Sequence, residues 1–223
     1  MDKVAVLIPC YNEAITVGQV ITDFRQELPD AYIYVYDNNS TDETASEALN
    51  HGAILRHAPI QGRGAVVQQM FSEVDADKYI MVDGDATYPA KYVHALLEGL
   101  SEYDMMLGDR LSGNYYADNK RPFHGFGNKI VKSFINLLYH GNIPDIMTGY
   151  RAFRKGFVKS AVLKSNGFQI ETEMSIFALK KHYRIGSVVI EYKDRPEGSV
   201  SKLNTYRDGL KVLWTIFKMK FER

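Results

Sequence analysis

The stretch Val82-Asp83-Gly84-Asp85-Ala86-Thr87-Tyr88-Pro89 decides the fold prediction for this chain. It follows an apolar run, residues 78–81, that has the length and composition of a buried strand, and a segment with helical spacing, residues 91–100, comes after it. The carboxylates are therefore predicted to lie at the carboxyl end of a strand, where open α/β sheets bind ligands.

Asp83 and Asp85 are two residues apart on a turn that Gly84 permits. Their oxygens can converge on one hard divalent cation, Mg²⁺ or Mn²⁺, with water and a substrate phosphate as further ligands. The alternative is an ordinary turn between a strand and a helix, with solvated carboxylates. The spacing alone leaves both interpretations open.

The composition argues against a nucleic-acid-binding, a disulfide-bonded or a membrane-spanning protein. The 223 residues suit one domain with a substantial core, and 27 Lys plus Arg balance 27 Asp plus Glu, so no global positive field favours nucleic acid. Cys10 is the only cysteine, which excludes an intramolecular disulfide. No apolar run approaches the roughly 18 residues of a membrane span, and no signal peptide is apparent. We expect a cytoplasmic catalytic domain.

Strand-like and helical segments alternate along the first half of the chain. Strands are predicted at residues 4–8, 32–36, 53–56, 78–81 and 103–107, with another at 185–190. This alternation predicts a mostly parallel central sheet with right-handed connections and helices on both faces. Ser40 or Thr41 is predicted to cap the second helix, and Asp37 precedes that cap at the mouth of the sheet.

A glycine pair follows the third predicted strand. Gly62-Arg63-Gly64 opens a helix, and the glycines would let backbone N–H groups approach an anion while Arg63 adds charge. A simple turn is the competing interpretation.

Two later segments have an apolar helical face. In residues 123–139 that stripe is typical of a core helix, with contact to lipid as the alternative. In the tail, residues 203–223, the stripe is flanked by lysines and consists of Leu203, Tyr206, Leu210, Leu213, Trp214, Phe217 and Phe221. This composition suits an amphipathic helix at a membrane surface, and packing on the body, a second copy or a membrane-protein partner is the alternative.

Seven motifs in order carry a family resemblance. They are Ile-Pro-x-Tyr-Asn-Glu from Ile8, Asp-Asn-Asn-Ser-x-Asp-x-Thr from Asp37, Gly-Arg-Gly-Ala from Gly62, Asp-Gly-Asp-x-x-x-Pro from Asp83, Gly-Asp-Arg from Gly108, Thr-Gly-Tyr-Arg from Thr148 and Arg-x-x-Gly-x-x-Ser-Lys from Arg195. The chain resembles the family 2 glycosyltransferases, and within them the synthases of polyprenyl-phosphate sugars such as dolichyl-phosphate mannose and glucose. The resemblance implies a GT-A fold over residues 1–202, with a Rossmann-like nucleotide-binding half and acceptor-side helices, followed by the tail helix.

The resemblance also implies roles for individual residues. Those expected to hold the donor nucleotide and its diphosphate are Pro9, Tyr11, Asn12, Glu13, Asp37, Arg63, Gly84, Arg195 and Lys202. Asp83 would face the sugar or the metal, Asp85 would be the main metal ligand, and Thr87 would complete the metal shell. Arg110 and Arg121 match arginines that receive the acceptor phosphate, although a surface ion pair is the plain interpretation of each.

The implied reaction moves a hexose, with inversion, from a GDP- or UDP-sugar to a polyprenyl monophosphate. One alternative is transfer to a saccharide hydroxyl, which would need a carboxylate base near Glu171 and Glu173; those residues otherwise hold an arginine or lie on a solvated helix face. Another alternative is a nucleotide-sugar-binding module without catalytic activity. Asp83-Gly84-Asp85 departs from the commoner Asp-Ala-Asp of the family, and Asp37-Asn38 departs from its paired aspartates.

Overall fold

A computed structural model describes residues 2–113, 122–202 and 205–221. Its strands are β1 (Val4–Cys10), β2 (Tyr32–Asp37), β3 (Ile54–His57), β4 (Lys78–Met81), β5 (Met105–Asp109), β6 (Arg151–Arg154) and β7 (Ile185–Val189). Its α-helices are α1 (Val17–Glu27), α2 (Thr44–Asn50), α3 (Arg63–Glu73), α4 (Val93–Gly99), α5 (Pro122–Tyr139), α6 (Lys155–Ser160), α7 (Ile170–Lys180) and α8 (Thr205–Phe221). A 3₁₀ turn, Ala90–Tyr92, precedes α4.

The described strands form one seven-stranded sheet in the order β3-β2-β1-β4-β6-β5-β7. Strands β1 to β4 pair in parallel, as do β5 and β7, whereas β6 lies antiparallel to both of its neighbours. The prediction of a mostly parallel α/β sheet is confirmed. Because β1, β2 and β4 run in the same direction, the loops after them meet at one edge, and these loops carry the polar motifs.

Apolar side chains pack on both faces of the sheet. Helices α1, α2 and α4 contribute to the cluster on one face, while α3 and α5 to α8 contribute to the cluster on the other. The predicted helix positions on both faces are therefore confirmed. Tyr79 and Ile80 illustrate the alternation, since these neighbours on β4 belong to opposite clusters.

One local prediction was wrong, and one strand was missed. Helix α2 begins at Thr44, later than expected, and neither Ser40 nor Thr41 caps it. Instead the Ser40 hydroxyl accepts a hydrogen bond from the Asn12 N–H, while the Thr44 N–H donates to Asp42. Strand β6 was not predicted, because its four residues carry an arginine at each end.

Helix α8 packs on α5 and α7 by the side opposite its predicted apolar stripe. Val212 and Ile216 are buried, and the Tyr139 hydroxyl donates to the Ile216 carbonyl at 2.7 Å. Outward from them lie the stripe residues that the structure describes, Leu210, Leu213, Trp214, Phe217 and Phe221, with Trp214 71% exposed. None of the helices in the described ranges has the length and apolar character needed to cross a bilayer.

Candidate active site

A cavity of about 910 Å³ opens at the carboxyl ends of β1, β2 and β4. Predicted site residues that line it are Pro9, Tyr11, Glu13, Arg63, Asp83, Gly84, Asp85, Thr87, Arg110, Arg195 and Lys202. Asn12 lines a smaller adjoining cleft. Asp37 is buried beside the cavity, where Oδ1 accepts the Ser40 N–H at 3.3 Å, and the next residue, Asn38, lines the wall. Arg121 lies outside the described residues.

Asp85 is a buried carboxylate with two different neighbours. Its Oδ1 accepts hydrogen bonds from the Thr87 hydroxyl at 2.6 Å and the Thr87 N–H at 3.2 Å, a turn in which Ala86 has a φ of 58°. Its Oδ2 lies 2.5 Å from a guanidinium nitrogen of Arg195. Burial and the charge of Asp83 raise the pKa of Asp85, against the opposing effects of Arg195 and Thr87. A further cation beside this carboxylate would favour its ionised form.

Residues 193–202, here called the strap, line the cavity. The Lys193 N–H donates to the Thr87 carbonyl at 2.9 Å, which ties the strap to the Asp83-Gly84-Asp85 loop. Arg195 also contacts Glu13 at 3.3 Å. Lys202 Nζ lies 2.7 Å from both the Glu13 carboxylate and the Asn12 carbonyl oxygen. The structure thus brings Arg195 and Lys202 together with Asp85 and Glu13.

Arg63 occupies the other side of the loop. Its guanidinium lies 2.5 Å from Asp83 Oδ1 and donates through Nε to Glu171. The glycines on either side of Arg63 have a packing role, since a Cβ would lie 2.3 Å from the Asn166 carbonyl oxygen at Gly62 and 1.9 Å from that of Ser165 at Gly64.

The first amides of α3 do not cradle an anion. The Gly64 N–H donates to the Asn166 carbonyl oxygen at 2.9 Å, so this donor is already used within the protein. The turn is therefore a close contact between two backbone segments.

Arg110 also lines the cavity. Its Nε and one terminal nitrogen bond the buried Asp145 carboxylate at 2.7 and 3.0 Å, a bidentate pair. The guanidinium carbon also lies 5.1 Å from the Tyr192 ring centroid and 5.9 Å from that of Tyr88. These contacts fix Arg110 in place while it lines the cavity.

Glu171 and Glu173 have different partners, although both lie on the first turn of α7. Glu173 accepts the N–H groups of Lys164 and Ser165 at 2.9 and 2.7 Å, so the prediction that its carboxylate holds an arginine was wrong. Glu171 lines the cavity and binds Arg63.

Some residues that shape the site were missed by sequence reasoning. Tyr192 follows the carboxyl end of β7. Because ligands bind at the carboxyl ends of strands in such sheets, this position could have identified it as a site residue. Asp145 carried no comparable signal, because it lies 35 residues from Arg110 in the chain.

The oxygen ligands present suit a hard cation. The described residues contain no group of three His, Cys, Asp or Glu arranged around a common point. One or two carboxylates are nonetheless the usual protein share of a Mg²⁺ site whose other ligands are water and substrate phosphates. Asp85, with Asp83 two residues away, would supply that share if a divalent cation binds here.

Comparison with known proteins identifies the family of the chain. The sequence profile described as Glycosyl transferase family 2 matches residues 5–161, most of the chain. The chain belongs to glycosyl transferase family 2. This family 2 glycosyltransferase is 36% identical over 210 residues to Glycosyltransferase AglJ of Haloferax volcanii, which covers 93% of the chain and 69% of that relative. It is 26% identical over 222 residues to the Dolichyl-phosphate hexose transferase of the same organism, covering 99% of the chain and 95% of the relative.

Solved structures show that this family 2 glycosyltransferase has the GT-A fold. Glucosyl-3-phosphoglycerate synthase from Mycobacterium tuberculosis, crystallised with Mn²⁺, UDP-glucose and phosphoglyceric acid, superposes with a TM-score of 0.77 at 18% identity. The match covers 98% of the chain and 80% of the mycobacterial chain. The predicted fold class is confirmed.

Proposed function

We propose that the protein transfers a hexose, with inversion, from a GDP- or UDP-sugar to the phosphate of a polyprenyl monophosphate. The observation that carries the proposal is the convergence of Arg195, Lys202, Asp85 and Glu13 in one cavity at the sheet edge. A leaving nucleoside diphosphate gains negative charge as the glycosidic bond breaks, and cations that are already in place stabilise it.

Asp85, with Asp83 near it, would hold Mg²⁺ or Mn²⁺ at this site, and such an ion neutralises charge on the departing diphosphate. Arg195 and Lys202 then act from the strap. Both cations are paired with carboxylates of the same cavity, and a diphosphate offers them more negative charge than a single carboxylate does. Asn38 and Tyr11 line the part of the cavity at the ends of β1 and β2, where the base and ribose are proposed to bind.

The acceptor side favours a phosphate over a hydroxyl. A phosphate monoester has a second pKa of about 6, so it is a nucleophile near neutral pH without a base. A saccharide hydroxyl needs a general base to become a nucleophile. Glu171, the carboxylate of α7 that lines the cavity, already accepts the Arg63 Nε–H and is therefore less suited to that role. Arg110 lines the cavity in a fixed orientation, which suits recognition of a phosphate.

A lipid acceptor has to be met at a membrane surface. Helix α8 begins three residues after Lys202 and turns its apolar stripe outward. That stripe includes a tryptophan, and Lys211, Lys218 and Lys220 lie in the same helix, a composition found in helices that bind the interface of a bilayer. We propose a cytoplasmic protein that associates peripherally with the membrane through this helix; pairing with another protein is the alternative.

The donor is tested first by thermal shift. With Mn²⁺ present, GDP- and UDP-sugars are compared, and the protein is expected to be stabilised by sugars of one base. Purified protein is then given that donor and either a short polyprenyl phosphate or a saccharide acceptor. Product only from the polyprenyl phosphate supports the proposal. Product only from the saccharide refutes the acceptor class, and binding without any transfer indicates a module that lacks catalytic activity.

A further inference from the structure

The two aspartates of the Asp83-Gly84-Asp85 loop contact different cations. Asp85 is paired with Arg195 of the strap, whereas Asp83 is paired with Arg63 at the start of α3. The loop therefore presents one carboxylate toward the strap and the other toward α3 and α7.

The contact with Arg63 leaves one side of the Asp83 carboxylate open. Oδ1 is fully buried 2.5 Å from the guanidinium, yet the side chain as a whole is 24% exposed. The exposed part therefore belongs to the remaining atoms, including Oδ2, and Asp83 lines the cavity. An anchored carboxylate with one accessible oxygen is well suited to accept a hydrogen bond from a ligand hydroxyl.

The position of the carboxylate depends on a glycine. A Cβ built on Gly149 would lie 2.5 Å from both Asp83 oxygens, so any larger residue would displace them. The Gly149 N–H is itself held by the Tyr88 hydroxyl at 2.9 Å. This close approach gives a physical reason for the glycine in the Thr-Gly-Tyr-Arg motif.

Glu171 fixes Arg63 from the opposite side. Glu171 is 3% exposed, and its carboxylate accepts the Arg63 Nε–H. Although burial disfavours the charged guanidinium, Asp83 and Glu171 together raise the pKa of Arg63, so it stays protonated. One buried cation thus joins the β4 loop, α3 and α7.

We propose that Arg63 and Glu171 are positioning residues that hold Asp83 with one oxygen directed at the sugar of the donor. A role for Asp83 at the sugar, with Asp85 on the diphosphate side, is what the family resemblance implies, and the positioning role of Arg63 and Glu171 goes beyond it. The inference rests on the proposed function, because it requires a nucleotide-sugar in this cavity.

The test separates sugar recognition from nucleotide binding. Dissociation constants are measured by calorimetry with Mn²⁺ for UDP, UDP-glucose, GDP and GDP-mannose. The readout is the ratio of the constant for the nucleoside diphosphate to that for its sugar derivative, which reports the contribution of the sugar. In Glu171→Ala we expect this ratio to fall about tenfold, as for the loss of one charge-assisted hydrogen bond, while nucleoside diphosphate binding stays within about twofold.

Two further variants exclude a merely structural effect. Glu171→Gln keeps an oxygen that can accept the Arg63 Nε–H, so it is expected to recover part of the ratio. Glu73→Gln alters a carboxylate at the other end of α3, which accepts the Tyr36 hydroxyl at 2.9 Å, and is expected to leave the ratio unchanged. If Glu171→Ala does not fold, Glu171→Gln carries the test, with an expected fall of at least about twofold.

The outcomes are distinguishable. A ratio that is unchanged in the folded Glu171 variants, or a parallel loss of diphosphate and sugar-nucleotide binding, overturns the positioning role but leaves the proposed function standing. Failure of the unmodified protein to bind any of the four nucleotides refutes both.

Discussion

Gly84 and Cys10 are packed closely together. We therefore expect the size of the side chain at one position to limit the size of the side chain that the other can accept. A Cβ built on Gly84 would lie 2.6 Å from Cys10 Sγ and 3.4 Å from Ile8 Cγ2. Gly84 has no positive φ, so its backbone accepts alanine without strain. Any cost of Gly84→Ala therefore comes from overlap with the sulfur.

The contact distance allows the size of the effect to be estimated. Overpacking a well-filled site costs about 1–3 kcal/mol, and we expect Gly84→Ala to lower the free energy of unfolding by that amount. Cys10→Ala removes the sulfur and leaves a small void, which costs about 1 kcal/mol. In the double variant the new methyl group enters that void, so the coupling between the two changes is expected to be about 1–3 kcal/mol and favourable.

The assay is urea unfolding of the four proteins in the mutant cycle. In a protein of this size, 1 kcal/mol corresponds to roughly 2–4 °C in melting temperature, so thermal unfolding provides a second measurement. Gly156→Ala is the matched control, because a Cβ at this helical position meets nothing within 4 Å. It is expected to stabilise the protein by about 0.5–1 kcal/mol. Additive costs for Gly84→Ala and Cys10→Ala would refute the steric explanation.

Three further predictions follow from the site and its supports. Asp85→Asn is expected to reduce kcat by at least about 10²-fold and to weaken Mn²⁺ binding measured by electron paramagnetic resonance; turnover at the original rate would contradict its role. Asp145→Asn removes the carboxylate that Arg110 bonds bidentately and is expected to cost about 3–5 kcal/mol in urea unfolding, whereas a change below about 1 kcal/mol would show that the pair is unimportant. Trp214→Ser should leave the melting temperature unchanged and abolish cosedimentation with anionic liposomes, while Ile216→Ala on the buried side should cost about 2–5 kcal/mol; retained cosedimentation in the first variant rules out the membrane contact.

Local pattern was sufficient to predict most of the sheet. Strands β1, β2 and β4 are short apolar runs that end in polar motifs, and strands of this kind are buried on both faces of parallel sheets. Their common direction places the following loops at one edge. The sequence therefore also allowed the prediction that Glu13 and Asp85 line the same cavity. Strand β6 could not be predicted in this way, because an antiparallel strand inserted between β4 and β5 depends on pairing with residues 44–76 positions away rather than on its own composition.

Buried charge was the part of the site that sequence could not predict. Arg151 is fully buried, and its guanidinium donates to the carbonyl oxygens of Thr148, Ile146 and Glu171 and to the Ser175 hydroxyl. Burial lowers the pKa of Arg151 to about 10, against the nearby carboxylates that raise it, so the group stays charged at neutral pH. An arginine in a sequence is normally assigned to the surface. Only the fold shows the carbonyl oxygens whose hydrogen bonds offset the desolvation of the buried guanidinium.

Helix α8 shows why amphipathicity alone does not say which side of a helix is buried. The apolar stripe predicted from the sequence would ordinarily face the core. The structure instead buries Val212 and Ile216, together with the Asp208 and Thr215 side chains, and leaves the more apolar side outward. The outward stripe continues onto α5, where the Phe134 ring lies 5.7 Å from that of Phe217. A helix with apolar residues on both sides is expected to be covered on both, and the part of the chain that the structure describes covers only one of them. We therefore expect a second apolar environment on the exposed side, which in the proposed function is the lipid that carries the acceptor and in the alternative is another protein.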